Sequence, residues 1–290
     1  MTARNTSSVR PAPAGQHDGA DWVIVRRPNY GQRLVNAVLA LFVLGLVWAG
    51  VSNPNFQWDV VVQYLTHASV LKGLSTTIAL TVIAMLLGAA IGIVIAMLMM
   101  ARDRFLVSFA AGYIWLFRGT PLLVQLFFWF NISALYPQIN IGWPGGPYLA
   151  TFSGNDITPF MAAVLGLALH EAAYMAEIVR GGVLAVGPGQ AQAAIALGMT
   201  RLQSFVRIVL PQALRIIVPA TGNQVILMLK TTSLVSVIAL PELLYSVQNI
   251  YARTFEVIPL LIVASLWYLF MCSLLSIVQY FLERRLGRGH

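Results

Sequence analysis

Residues 70–100 read VLKGLSTTIALTVIAMLLGAAIGIVIAMLMM, an apolar run whose only charge is Lys72. About 20 apolar residues suffice to cross a bilayer as a helix. At ~1.5 Å per residue this run would extend about 46 Å, so the helix is expected to tilt or to project past the hydrocarbon. Five further blocks of similar character occur, at about 34–52, 105–135, 158–179, 208–236 and 257–282. The chain is therefore read as an all-α integral membrane protein with six transmembrane helices. Composition agrees: 58 % of the residues are hydrophobic and only 10 % are charged, against about 25 % charged in an average soluble domain.

The net charge of +8 would suit nucleic acid, but the basic residues flank the apolar blocks, as they do in membrane proteins. A nucleic-acid partner is accordingly excluded, and the lipid bilayer is the expected surroundings. Arg4, Arg10, Arg26, Arg27 and Arg33 precede the first block, and Arg102 and Arg104 separate the second from the third. Arg180, Arg201, Arg207 and Arg215 surround the segment after the fourth, and Arg284, Arg285 and Arg288 follow the sixth. The positive-inside rule places all of these in the cytoplasm together with both termini. It leaves Lys72, Arg118, Lys230 and Arg253 elsewhere.

Residues 1–33 are polar and rich in Pro, Ala and Ser, which predicts a disordered cytoplasmic tail. The first block begins near Leu34 and lacks a cleavage pattern, so it is expected to stay as a transmembrane helix. Within 105–135, Arg118-Gly119-Thr120-Pro121 interrupts the apolar run, and Pro121, having no N–H to donate, predicts a kink. The segment 136–157, YPQINIGWPGGPYLATFSGNDI, is expected to form an ordered extracytoplasmic loop that covers a pore mouth, docks a partner or simply connects two spans.

Catalytic signatures are missing. There is no G-x-x-x-x-G-K-[ST] to cradle a nucleotide and no G-x-S-x-G nucleophile turn. His170-Glu171 begins like a zinc-protease motif, but Tyr174 stands where the second histidine belongs. The histidines are scattered and Cys272 is the sole cysteine, so no metal site is expected. The chain is expected to be no enzyme and to bind no cofactor of its own.

GQAQAAIALGMT, residues 189–200, lies in the cytoplasmic segment 181–207. After Gly187-Pro188-Gly189, a short helix can place Ala191, Ala194, Ile195 and Gly198 on one face. That face is almost entirely small. Small side chains permit close approach of another backbone, whereas a helix resting on lipid headgroups wants bulky apolar residues opposite Lys or Arg. The face is therefore predicted to dock into a partner.

With that helix in view, the sequence resembles the permease subunits of ATP-binding-cassette importers, most closely those for polar amino acids of the histidine, glutamine and arginine type. The resemblance rests on Gly189-Gln190-Ala191-Gln192-Ala193-Ala194, Leu197-Gly198 and Val209-Leu210-Pro211 in the cytoplasmic loop. It extends to Arg118 through Gln125, to His170 through Tyr174 with Glu177 through Gly182, and to Leu229 through Ile238. It implies a type I importer permease core of five helices over 70–285, with a coupling loop at about 181–207. Residues 34–69 would be an additional N-terminal helix and an extracytoplasmic loop. The implied partners are two ATPase subunits that hold ATP and Mg, a second permease copy or paralogue, and an extracytoplasmic solute-binding protein. The implied location is the bacterial cytoplasmic membrane.

The resemblance also implies that Gly189, Gln190, Ala191, Gln192, Ala193, Ala194, Ile195 and Gly198 dock the ATPase. Gln192 stands where the family usually has Glu, so shape rather than charge would hold the helix there. The candidates for the solute pathway are Arg118, Gln125, Glu171, Asn223, Gln224, Lys230, Thr231, Thr232 and Ser233. Charges inside spans are costly and default to function. Arg118 is open to three roles: snorkelling, pairing with a carboxylate, or meeting a solute carboxylate. Glu171 is open to a structural or a solute-facing role, and Glu177 is placed to pair with Arg180 at i, i+3. The fifth block is expected to loosen around Lys230-Thr231-Thr232-Ser233, where freed backbone groups and hydroxyls can coordinate an amino acid. The family commonly has acids at positions 224 and 231, which argues against Lys- or Arg-like side chains binding at those two places. Two alternatives stay open: a secondary transporter driven by an ion gradient, and a partner permease of a heterodimer that binds no solute itself.

Overall fold

The computed structural model describes residues 30–143 and 148–286. The expected tail, save its last four residues, lies outside the described residues. The chain separates into two compact units, residues 1–53 and 54–290. In the first, helix α1 (Tyr30–Ser52) has no buried residue, and its side chains are apolar nearly throughout.

The second unit begins with a 3₁₀ turn, Pro54–Phe56, and the short helix α2 (Trp58–Leu65), both in a stretch expected to be loop. The run that opened the sequence analysis then forms one uninterrupted helix, α3 (Ala68–Met99). Its partner is α7 (Pro159–Leu184), and the α3–α7 contact is the most extensive in the chain. Lipid tails are as apolar as leucine, so spans are held together by close packing and hydrogen bonds more than by hydrophobic expulsion. The sequence supplies that closeness. Ala162, Ala163, Gly166, Ala168, Ala172, Ala173 and Ala176 of α7 are all buried. On α3, a methyl at Gly88 would lie 2.8 Å from Cβ of Glu171, and one at Gly92 would lie 2.6 Å from Cβ of Met175.

The expected third span is corrected by the structure. Residues 105–135 do not make one kinked helix but two, α4 (Arg104–Gly119) and α5 (Leu122–Phe130), bent by 100°. Thr120 and Pro121 both take extended backbone angles between them, so the helix ends rather than bends. A brief helix α6 (Ile132–Leu135) follows. The expected loop then holds an antiparallel hairpin, β1 (Gln138–Gly142) with β2 (Tyr148–Ser153), the only strands among the described residues. Its β-branched and aromatic residues suit a ladder.

After α7 come α8 (Pro188–Ala196) and α9 (Arg201–Ser204). A π-helical turn over Phe205–Val209 leads into α10 (Leu210–Thr231). The expected loosening occurs where it was placed: at Thr232 the α-helix gives way to a 3₁₀ segment, Thr232–Ile238. Helix α11 (Leu243–Thr254) was not foreseen, and α12 (Val257–Leu286) closes the chain. Five helices are long and apolar enough to cross a membrane, or six if the bent α4–α5 pair counts as one span.

Glu242 is fully buried at the start of α11. Its carboxylate accepts hydrogen bonds from the amides of Leu244 and Tyr245 at 2.9 and 2.7 Å and from the Tyr268 hydroxyl at 3.0 Å. Thr77 on α3 donates to it at 3.4 Å and itself accepts from Leu243 N–H. One acid thus ties α3, α11 and α12 together. The α3–α7 seam predicts a measurable cost of crowding. Replacing Gly92 with Leu should destabilise the protein by ~1–3 kcal/mol, since the side chain must displace Met175 and the carbonyl of Ala172; thermal unfolding followed by gel filtration in detergent would show the lowered midpoint.

Candidate functional site

The polar groups of the spans gather around α7. Glu171 is 3 % exposed. It has room because Gly88 faces it on α3, and the Gln224 side chain on α10 lies beside it. Its Oε1 has no partner among the described residues, nor does His170 Nδ1 one position earlier. The His170 ring packs on Tyr174 at 5.1 Å, and the Arg118 guanidinium lies over the ring of the same tyrosine, 5.1 Å from its centroid. Arg118 thus makes a contact outside the three roles open to it from sequence, a cation–π contact at the C-terminal turn of α4, where the helix dipole also favours a cation. Tyr174 was missed in the sequence because an aromatic in a span reads as packing.

Gln125 is buried and serves the helix break. Its Nε2 donates to the carbonyls of Phe117 and Thr120 at 3.0 and 3.1 Å and to Thr120 Oγ1 at 2.8 Å. These are the orphan acceptors at the end of α4, which lipid would leave unpaired. The side chain is thus a structural cap, although its Oε1 has no partner among the described residues.

The remaining pathway candidates do not converge on one point. Asn223 accepts from Gln279 Nε2 at 2.9 Å, and Gln279 also donates to Glu283 at 2.8 Å, which makes a polar patch on the exposed side of α10 and α12. Thr231, Thr232 and Ser233 turn their hydroxyls back to the carbonyls of Leu227, Leu229 and Lys230. Those bonds stabilise the α-to-3₁₀ transition and leave the oxygens only as acceptors. Lys230 is exposed, and Thr232 is fully buried. Glu177 and Arg180 pair at 2.8 Å, as their spacing predicted.

In the segment 181–207 the small face meets its own chain at Ala191 and Ala194. Ala194 is 4 % exposed and Ala191 half-buried, with its carbonyl accepting from Ser204 Oγ at 3.5 Å. Helix α8 packs there against α9 and the π turn. The i, i+3 pattern correctly marked a packed face, but the neighbour is internal. Ile195 is partly exposed beside it. Gly198 ends α8 with φ +84°: its N–H bonds to Ile195 O at 2.9 Å and that of Met199 to Ala194 O at 3.1 Å. This is the glycine-capped helix end in which only a residue without Cβ sits comfortably. Gly189, Gln190, Gln192 and Ala193 remain exposed, and Leu197 is 85 % exposed. Leu197 belongs to the motif that carries the resemblance but is not among the docking candidates.

Tightly seamed spans around buried polar groups, with a short helix α8 between two of them, are the frame against which the chain can be compared with known proteins. The family described as binding-protein-dependent transport system inner membrane component matches residues 88–288, and this chain belongs to it. It is 41 % identical over 259 residues to the arginine transport system permease protein ArgU of Corynebacterium glutamicum, covering 88 % of this chain and 79 % of that one. With the L-cystine transport system permease protein TcyB of Bacillus subtilis it shares 36 % identity over 80 % of this chain and 92 % of the other. Among solved structures, an amino acid ABC transporter with histidines matches with a TM-score of 0.66 at 34 % identity, covering 79 % of this chain and 98 % of that one. The inward-facing MetNI methionine ABC transporter matches at 17 % identity with a TM-score of 0.62, covering 76 % of this chain and 97 % of that one, which shows a shared fold. The chain is thus an inner-membrane permease subunit of the ABC importer class.

The capping role of Gln125 predicts that Gln125→Leu, which leaves the Phe117 and Thr120 carbonyls unpaired, costs about 1–3 kcal/mol. Gln125→Glu, which brings no donor, should be no better. Chemical-denaturant or thermal unfolding of the purified variants measures both.

Proposed function

We propose that this chain moves a small polar amino acid, or a close derivative, into the cytoplasm, driven by ATP held with Mg on two separate ATPase subunits. An extracytoplasmic receptor delivers the solute, and a second permease copy or paralogue completes the pathway. Both termini and the 181–207 segment face the cytoplasm in this reading, in line with the placement of the basic residues. The solute class is supported by the relatives, which are named for arginine, L-cystine, nopaline, octopine and glutamine.

The observation that carries the coupling mechanism is the seating of α8 on its neighbours. Its small face is seated on α9 and the π turn, and these run directly into α10. A push on the exposed edge, formed by Gln192, Ala193 and Leu197, is therefore delivered to α10 rather than absorbed in a loose loop. Neutral Gln192 leaves shape and the apolar Leu197 side chain to hold the ATPase.

The neutral residues at 224 and 231 do not strip the region of acid. Glu171 lies within hydrogen-bonding reach of Gln224 from the neighbouring helix, with one oxygen unpartnered. Glu171, which belongs to the motif shared with the family, thus keeps one acid beside α10, where a cationic solute group can be met. Family membership sets aside the ion-gradient alternative.

Reconstituted with its ATPase and receptor, the complex should show ATP hydrolysis stimulated by loaded receptor. Leu197→Asp should abolish that stimulation and weaken ATPase attachment about tenfold or more, because an unpaired carboxylate buried in the contact costs upward of ~1.4 kcal/mol. Stimulation that survives Leu197→Asp unchanged would remove this edge from the docking surface.

A further inference from the structure

A cleft lies away from the cluster around Glu171. It has a volume of about 810 Å³ and opens between the N-terminal turns of α3 and the body of α11. The polar residues along it include Lys72, Ser75, Thr76, Asn249, Arg253 and Thr254, and no Asp or Glu lines it. Its size falls within the ~300–1,000 Å³ typical of small-molecule sites.

Lys72 and Arg253 are two of the few basic residues on the non-cytoplasmic side, where cations are scarce in membrane proteins. Neither the ammonium nor the guanidinium has an ion-pair or hydrogen-bond partner among the described residues. Arg253 has a local reason for its place, the last turn of α11, where the dipole favours a cation. Lys72 has none: it stands near the N-terminus of α3, the end that disfavours one. The hydroxyls add a second polarity. Ser75 Oγ and Thr76 Oγ1 both donate to the Lys72 carbonyl, at 2.7 and 3.2 Å, so what they offer the cleft is lone pairs. The lining thus combines unpaired cations, which seek a carboxylate, with oxygens that accept from an ammonium group.

We propose that this cleft is an entry site for the zwitterionic backbone of an α-amino acid, its carboxylate taken by Lys72 and Arg253 and its ammonium group by the hydroxyl oxygens. The proposal rests on the importer reading and on the orientation given above. It adds to that reading a station on the extracytoplasmic side, separate from the Glu171 region, that reads the invariant part of the solute and not its side chain.

The full chain carrying Cys272→Ser and Asn249→Cys, in nanodiscs of zwitterionic lipid, provides the test. The introduced thiol should react about tenfold faster with a negatively charged methanethiosulfonate than with a positively charged one, as cations enrich anions in a cleft. Lys72→Gln combined with Arg253→Gln should bring the two rates together. In the variant with both cations intact, at least one of the twenty standard L-amino acids or L-cystine should slow labelling, and its carboxamide should not. Equal protection by acid and amide, or protection by none of them, overturns the proposal. So does a thiol shielded by anionic lipid or by the empty receptor instead, which would assign the cleft to a headgroup or to protein docking. Receptor-stimulated ATP hydrolysis tells the failures apart, because a wrong assignment of the cleft leaves it intact.

Discussion

The close seam between α3 and α7 is the contact on which the rest of the molecule depends. In lipid, two apolar helices gain little merely by meeting, and the gain must come from approach close enough for dispersion and hydrogen bonds. Gly88 and Gly92 on one side and a row of buried alanines on the other allow that approach. The same geometry admits polar groups. A carboxylate at 171 can sit in the seam only because position 88 has no side chain, and from there it lies beside Gln224 of α10.

Breaks in the helices are handled locally. Backbone groups freed within a membrane need partners from the protein itself. At the 100° turn after Gly119, the Gln125 side chain collects the loose carbonyls of α4. At the change to 3₁₀ geometry, Thr231, Thr232 and Ser233 bond their own preceding turn. At the start of α11, Glu242 takes the free amides. Each irregularity is therefore a defined conformation with its own polar support.

The short helices between α7 and α10 are supported in the same local way. A nine-residue helix is too short to be stable by propensity alone. Helix α8 is held by Pro188 in its first turn, by the glycine-capped end at Gly198 and by packing on α9, which itself starts with a capping box between Thr200 and Gln203. With its inner face occupied, the outer edge is free to meet a partner, and the π turn links it to α10 without an intervening loop.

Much of this was readable from the chain itself. Apolar blocks, flanking arginines and Pro121 determined the helical membrane class, the main spans and the place of the break, because these follow from local composition and backbone chemistry. The pairing of Glu177 with Arg180 followed from helical spacing in the same way. Helix α11 and the hairpin went unseen: the first has mixed polarity, and the second lies in a stretch whose prolines and glycines read as loop. What only the tertiary structure decided is which neighbour each marked face meets. Periodicity showed that Ala191 and Ala194 are packed but not that the partner is α9; nor did it show that Arg118 rests on Tyr174, that Gln125 caps α4, or that Lys72 and Arg253 share a cleft. Helical spacing constrains residues a turn or two apart, whereas these contacts join residues on different helices, and their geometry exists only once the spans have packed.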